Sequence, residues 1–158
     1  MPTPSCSTSP PASLPPGPPC PVPALVEALH ARWHTAERPT GFLHADLHFG
    51  NVRFEGRTVH PIDFDDCGPA PLLYDLCVVG GTVHDKPGLV DRLAAAYNAD
   101  ADTPVTVADI ELFIAIRQIA MMGWVLDRAE IFTPQRQRDI LGRLLGRARM
   151  AMERIGLG

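Results

Sequence analysis

The sequence predicts an α+β fold, mostly helical, in which one small β-hairpin carries a candidate metal site. Helical apolar spacing fills the chain after residue 70, and two short β-rich runs flank Glu55-Gly56-Arg57. His44, Asp46, Asn51 and Asp63 gather around those runs. At 158 residues the chain has the length of one domain and is long enough for a core of its own.

Residues 1–23 hold ten of the 17 prolines, with Cys6 and Cys20 among them and no apolar period. Such a segment buries too little surface to offset its ordering entropy, so it reads as disordered. Polyproline docking to a partner lacks a basic anchor beside the prolines. Residues 24–158 form the folded unit.

A helix over 24–37 follows from Leu25, Val26, Leu29 and Trp33 at helical spacing, and it feeds the strand ahead of the cluster. His30 and His34, four apart on it, read as a packed or solvent-facing pair. Residues 52–54 form a strand, Glu55-Gly56-Arg57 a turn and 58–62 a returning strand, so the hairpin brings Asn51 and Asp63 to one end. Helices follow over 71–79, 87–99, 107–131 and 134–155. Thr106, three residues ahead of Asp109, and Thr133, ahead of Pro134, are their N-terminal signals.

The helix from 107 is apolar nearly all round, through Ile110, Phe113, Ile116, Ile119, Met122, Trp124 and Leu126, which predicts a central, buried position. Its polar residues Glu111, Arg117, Gln118 and Asp127 therefore pair in the interior or line a pocket. In the last helix Arg136, Arg143, Arg147 and Arg154 make a stripe beside the apolar Leu141, Leu144, Ala148, Met152 and Ile155. That stripe reads as a solvated face or one packing on a partner subunit.

Chemistry enters with His44-Ala45-Asp46-Leu47-His48-Phe49-Gly50-Asn51, which has the H-x-D-x-x-x-x-N spacing of a phosphoryl-transfer loop. Such transfer needs a carboxylate to receive or orient the acceptor hydroxyl proton, and Asp46 suits that role. Magnesium prefers few protein ligands and keeps its other positions for water and phosphate, so the Asn51 amide oxygen and the Asp63 carboxylate suffice. Gly50 permits a tight turn beside them. Asp63-Phe64-Asp65 stands where a protein kinase has D-F-G, and Tyr74-Asp75-Leu76 opens the next helix.

Over residues 42–77 this pattern resembles the aminoglycoside phosphotransferase and choline kinase-like family, which shares the protein-kinase fold. The resemblance implies a mostly helical C-terminal catalytic lobe that uses ATP or GTP and Mg2+ to phosphorylate a hydroxyl of a small molecule. It implies Asp46 as catalytic base, Asn51 and Asp63 as magnesium ligands, and Asp75 as the carboxylate bracing the catalytic loop. His44 would be a packed orienting residue, and Asp65, in place of the glycine, an auxiliary group near the metal. Ala45 replaces the arginine that holds a phosphorylated activation loop in protein kinases, so no phospho-switch is expected.

A complete member of that family also carries an N-terminal lobe with a Gly-rich loop and a strand lysine. The 41 residues before Phe42 show neither, and Lys86, the sole lysine, follows the motif. The expectation is a catalytic lobe without its N-terminal nucleotide lobe, through truncation or because a separate chain supplies it, with little activity alone. Two other readings stand beside an active kinase. One is a catalytically incompetent fragment that keeps the ligand geometry. The other is a metal-dependent hydrolase using His44, Asp46, His48, His60 and Cys67 around zinc, which leaves Asn51 and Asp63-Phe64-Asp65 unexplained.

The net charge of −4 is unevenly spread, with seven basic and fifteen acidic residues up to 127 and seven arginines against three acids after it. A nucleic-acid surface needs a basic total and stacking aromatics, so no nucleic-acid partner is expected. The acidic remainder suits a cationic acceptor, although the metal ligands account for part of it. No basic and apolar leader and no run of 18 apolar residues is present, so a cytoplasmic protein without a membrane partner is expected. Cys6, Cys20, Cys67 and Cys77 form no C-x-x-C pair and read as reduced thiols.

Overall fold

The computed structural model describes residues 26, 27, 30, 31 and 39–157. The disorder expected over 1–23 lies outside them. So does most of the helix expected over 24–37, of which Val26, Glu27, His30 and Ala31 are helical. The remainder is the expected α+β arrangement: small β-structure first, helices after it.

Strand β1 (Thr40–Leu43) pairs antiparallel with β4 (Gly68–Pro71), Thr40 opposite Pro71 and Leu43 opposite Gly68. Between them β2 (Val52–Glu55) and β3 (Thr58–Pro61) form the hairpin, Val52 opposite Pro61 and Glu55 opposite Thr58. Gly56, at φ 58°, takes the left-handed position its turn requires. Strand β4 corrects the expectation of a helix from 71. Among the described residues Gly68-Pro69-Ala70-Pro71 has a single partner strand, and a strand bonded on one side only tolerates prolines that donate nothing.

Four helices follow: α1 (Leu73–Val83), α2 (Leu89–Asn98), α3 (Val107–Asp127) and α4 (Pro134–Arg154). Helix α1 runs four residues past its expected end, through the poor helix formers Gly80 and Gly81. Close packing on α3 favours glycine there, since a Cβ on Gly80 would lie 3.0 Å from Ile114 Cδ1. Thr106 and Asp109 close a reciprocal capping box on α3, and the Thr133 hydroxyl accepts from the Arg136 amide at the start of α4. Helix α3 stops at Asp127, and Ala129–Ile131 forms a separate 3-10 turn rather than its continuation.

The core lies where α1, α2 and α4 meet the first half of α3, around Cys77, Val78, Val90, Ile110, Phe113 and Ala148. Residues Ile110 to Ala115 are all buried, as the all-round apolar pattern requires, but Trp124 and Leu126 in the second half are exposed. There the Arg128 guanidinium lies 4.8 Å from the centre of the Trp124 ring, and Phe132 meets that ring edge-on at 6.1 Å. Among the described residues no helix is long and apolar enough to cross a membrane.

A buried ionic cluster ties three helices together. His84, at the C-terminal end of α1, places Nε2 2.6 Å from Glu111 Oε2, and both side chains are within 1% of full burial. Arg154 donates to Glu111 Oε1 at 2.7 Å and to the His84 carbonyl at 3.3 Å. Arg154 belongs to the stripe read as solvated, yet its head turns inward to neutralise a glutamate that α3 carries into the core. Burial by itself would raise the Glu111 pKa; the hydrogen bonds and charges of His84 and Arg154 outweigh it and hold the carboxyl below the usual glutamate value.

A carboxylate with a depressed folded-state pKa stabilises the fold above its unfolded value, about 4.3 for glutamate, and that contribution is lost as the pH falls through the folded value. Glu111→Gln is therefore expected to flatten the acid limb of a stability-against-pH curve measured by thermal melting below about pH 4.3. Glu111→Ala at neutral pH is expected to cost about 3 kcal/mol, the low end for a broken buried pair because Arg154 is half-exposed and regains water.

Candidate functional site

The site begins where β1 ends. His44 is buried, and Ala45 follows at φ 65°, a left-handed conformation that a residue with a Cβ seldom adopts. Both ends of Ala45 are held. Its N–H donates to Asp75 Oδ1 at 2.8 Å, and its carbonyl accepts from Arg117 Nη1 at 3.4 Å. The other Asp75 oxygen accepts from the His44 N–H at 3.0 Å. Asp75 lies in the first turn of α1, where the helix dipole favours a negative charge. These bonds offset a backbone strain of order 1–2 kcal/mol at Ala45.

His44 links the loop to the far end of the hairpin. Its Nδ1 accepts from the Asp46 N–H at 3.4 Å, so Nε2 carries the proton and donates to the Ile62 carbonyl at 2.8 Å. The ring packs against Phe64 with centroids 4.6 Å apart. Both ring nitrogens of His44 thus have main-chain partners.

A 3-10 turn, Phe49–Asn51, completes the loop. His48 caps it, Nδ1 accepting from the Gly50 N–H at 2.9 Å, and a Cβ on Gly50 would lie 2.6 Å from His48 Cε1. The turn delivers Asn51, buried, with Nδ2 3.1 Å from the Asp46 carbonyl and 3.3 Å from Asp46 Oδ2. The amide oxygen is left without a protein partner among the described residues. The Asn51 carbonyl accepts from the Ile62 N–H at 2.9 Å, which sets Asp63 beside the loop at the end of β3. Asp63 is exposed, at φ 67°, and its carboxylate likewise has no protein partner among the described residues.

Asp46 is held from two sides. Oδ1 pairs with Arg117 Nη2 at 2.6 Å, and Oδ2 faces His48 Nε2 at 3.4 Å as well as the Asn51 amide. Arg117 comes from α3 and also donates to the Tyr74 hydroxyl at 3.1 Å, with its guanidinium 5.6 Å from the Tyr74 ring centre. Burial works against the Arg117 charge, but Tyr74 and Asp46 outweigh it and push the pKa above the ordinary arginine value. Cys77 beneath is buried, and desolvation pushes its thiol up to about 12, so it is inert.

Of the residues singled out from the sequence, Asp46 and Asn51 are in contact, Asp63 is carried beside Asn51, and His44 and Asp75 brace the loop. Asp65 stands apart, exposed in the turn closed by the Cys67 N–H to the Phe64 carbonyl. Arg117 is paired, as expected of a charge on a largely apolar helix, but no spacing rule points to its partner Asp46, 71 residues away. Glu111 pairs internally, Gln118 is buried, and Asp127 is exposed.

The zinc set of the hydrolase reading is not assembled. Both His44 nitrogens are bonded, and His60 lies out on the exposed hairpin 3.6 Å from Glu55. Among the described residues no group of three or more His, Cys, Asp or Glu side chains stands where it can hold a metal ion. One amide oxygen and one carboxylate fit magnesium, a hard cation that takes most of its shell from water and phosphate.

The model of the phosphotransferase enzyme family (APH) matches residues 13–108. Among solved structures, the chain is similar to a microcompartment-associated aminopropanol kinase. The TM-score is 0.65 at 22% identity, over 87% of this chain and 47% of that one. It is also similar to the amicoumacin kinase hAmiN in complex with AMP-PNP, Ca2+ and Ami. There the TM-score is 0.61 at 19% identity, over 85% of this chain and 46% of that one. At these identities the likeness establishes the fold, and the chain spans about half the length of either kinase. No curated protein matches the chain.

Removing the Asp75 carboxylate leaves the His44 and Ala45 amides without acceptors. Asp75→Ala is expected to destabilise the domain by about 1–3 kcal/mol, read as a lowered Tm in thermal unfolding. An unchanged Tm would show that the loop is held by something else.

Proposed function

This chain belongs to the phosphotransferase enzyme family, and from that premise we propose that residues 24–158 form the C-terminal catalytic lobe of a small-molecule kinase. The reaction is transfer of the γ-phosphoryl group of ATP or GTP, with Mg2+, to a hydroxyl of a small acceptor. The observation that carries this reading is the joining of Asp46, Asn51 and Asp63 by one loop and one hairpin. Asn51 bonds Asp46 through its side chain and Ile62 through its main chain.

Asn51 Oδ1 and the Asp63 carboxylate are the groups that would hold magnesium, which when bound neutralises the triphosphate charge and orients the group in transfer. Asp46 Oδ2, in an acceptor-side position partly open to solvent, receives or orients the hydroxyl proton. A loose transition state asks little basicity of that carboxylate and much positioning, which the bonds of Asn51, His48 and Arg117 supply. The acidic surroundings suit an acceptor with an amine, as the name of the aminopropanol kinase also suggests.

Nucleotide binding by this lobe is incomplete without an N-terminal lobe. Phe42, Phe49, Phe54 and Phe64, four of the six phenylalanines, are exposed, and all lie in the segment that carries the site. Exposed aromatic side chains in that segment suit a covering lobe.

Calorimetry with Mg·ATP and Mg·GTP, followed by turnover against amino alcohols, sugars and aminoglycosides, tests the reading. Weak nucleotide binding and little turnover are expected from the chain alone, with turnover rising when a family N-terminal lobe is supplied and vanishing in Asp46→Asn. Asp46-independent turnover would overturn the assignment of the base; micromolar nucleotide affinity with Asp46-dependent turnover by the chain alone would overturn the need for the lobe. Asp63→Asn, at an exposed position, is expected to weaken Mg2+ affinity while leaving the Tm within about 0.5 kcal/mol equivalent of the parent, as surface substitutions do.

A further inference from the structure

Of Asp46, Asn51 and Asp63, only Asp46 has an oppositely charged partner among the described residues. Arg117 Nη2 lies 2.6 Å from Oδ1, with 15% and 27% of the two side chains exposed. Arg117 is itself fixed by the Tyr74 hydroxyl at 3.1 Å and the Ala45 carbonyl at 3.4 Å, so the guanidinium is set in place whether or not Asp46 is occupied. On the other side Asn51 turns its Nδ2 toward Asp46 and its oxygen away. Asp63, the second proposed metal ligand, has no such partner among the described residues.

A divalent cation held by Asn51 and Asp63 attracts any unpaired carboxylate within reach, and a third oxygen ligand binds it more tightly. An Asp46 drawn onto the cation would be lost to the acceptor hydroxyl. We propose that Arg117 is a positioning residue that reserves Asp46 for the acceptor: it fixes Oδ1, cancels the charge that would draw Asp46 to the metal, and leaves Oδ2 facing the hydroxyl. This role rests on the metal and base assignments of the proposed function. It makes the arginine a device for keeping two neighbouring carboxylates in different roles, one on the cation and one off it.

The test is a Mn2+ titration of the full chain, free Mn2+ being read by its paramagnetic resonance signal, across Arg117→Gln, Asp46→Asn and the double variant. Arg117→Gln is expected to tighten Mn2+ binding by about tenfold, Asp46→Asn alone to change it by less than about twofold, and the double variant to lose the gain. Arg117→Lys, which keeps the charge, is expected to stay near the parent. No tightening in Arg117→Gln overturns the inference. A gain that persists in the double variant also overturns it, because the effect is then only the loss of one positive charge. Melting curves show whether each variant folds. Should Arg117→Gln not fold, Tyr74→Phe loosens the guanidinium instead, and an Asp46-dependent tightening of about threefold is expected, with no change overturning the role. Asp63→Asn separates the two levels. If it leaves Mn2+ affinity unaltered, the metal assignment falls and this inference with it; if it weakens binding while the Arg117 cycle is flat, only the positioning role falls.

Discussion

Two backbone amides on one carboxylate hold the site in its shape. Asp75 accepts from His44 and Ala45 at 3.0 and 2.8 Å, and this brace, with the Arg117 bond to the Ala45 carbonyl, holds the left-handed turn that carries the chain from β1 to Asp46. The brace is delivered by the first turn of α1, so the loop is only as steady as that helix. The other end of α1 is secured in turn, through His84, to the Glu111–Arg154 pair in the core. The helix thus joins a strained, partly exposed loop to the best-packed part of the domain, which is how functional strain is sustained in general.

The loop and the hairpin are coupled by two short bonds to residue 62. The His44 ring donates to the Ile62 carbonyl, and the Asn51 carbonyl accepts from the Ile62 amide. Asp63 follows directly and is the second non-glycine residue with positive φ among the described residues. The only two such residues therefore flank the candidate chemistry: Ala45 precedes the proposed base and Asp63 is a proposed ligand. Left-handed conformations at both positions turn the chain sharply.

Much of this was legible in the sequence because the chemistry is local. Asp46 and Asn51 are five residues apart, and the hairpin between Asn51 and Asp63 is written in its strand–turn–strand composition. The caps at Thr106 and Thr133 were equally plain, since a hydroxyl three residues ahead of a free amide has a fixed geometry. What escaped was set by packing at a distance. Arg117 reaches Asp46 across 71 residues, and Arg154 reaches Glu111 across 43; no spacing rule connects such pairs. Strand β4 escaped because two prolines in four residues hide a strand that has one partner. The full length of α1 escaped because Gly80-Gly81 signals a helix end until α3 is packed against it.

Amide line broadening by Mn2+ tests most directly whether Asn51 and Asp63 hold one cation, as proposed. In a proton–nitrogen correlation spectrum of the full chain at substoichiometric Mn2+, loss of signal is expected first at the Asn51 and Asp63 amides, then at Val52 and Ile62 beside them. Broadening centred instead on His60 and Glu55, or on Asp65 and Asp66 beyond the hairpin, would contradict it.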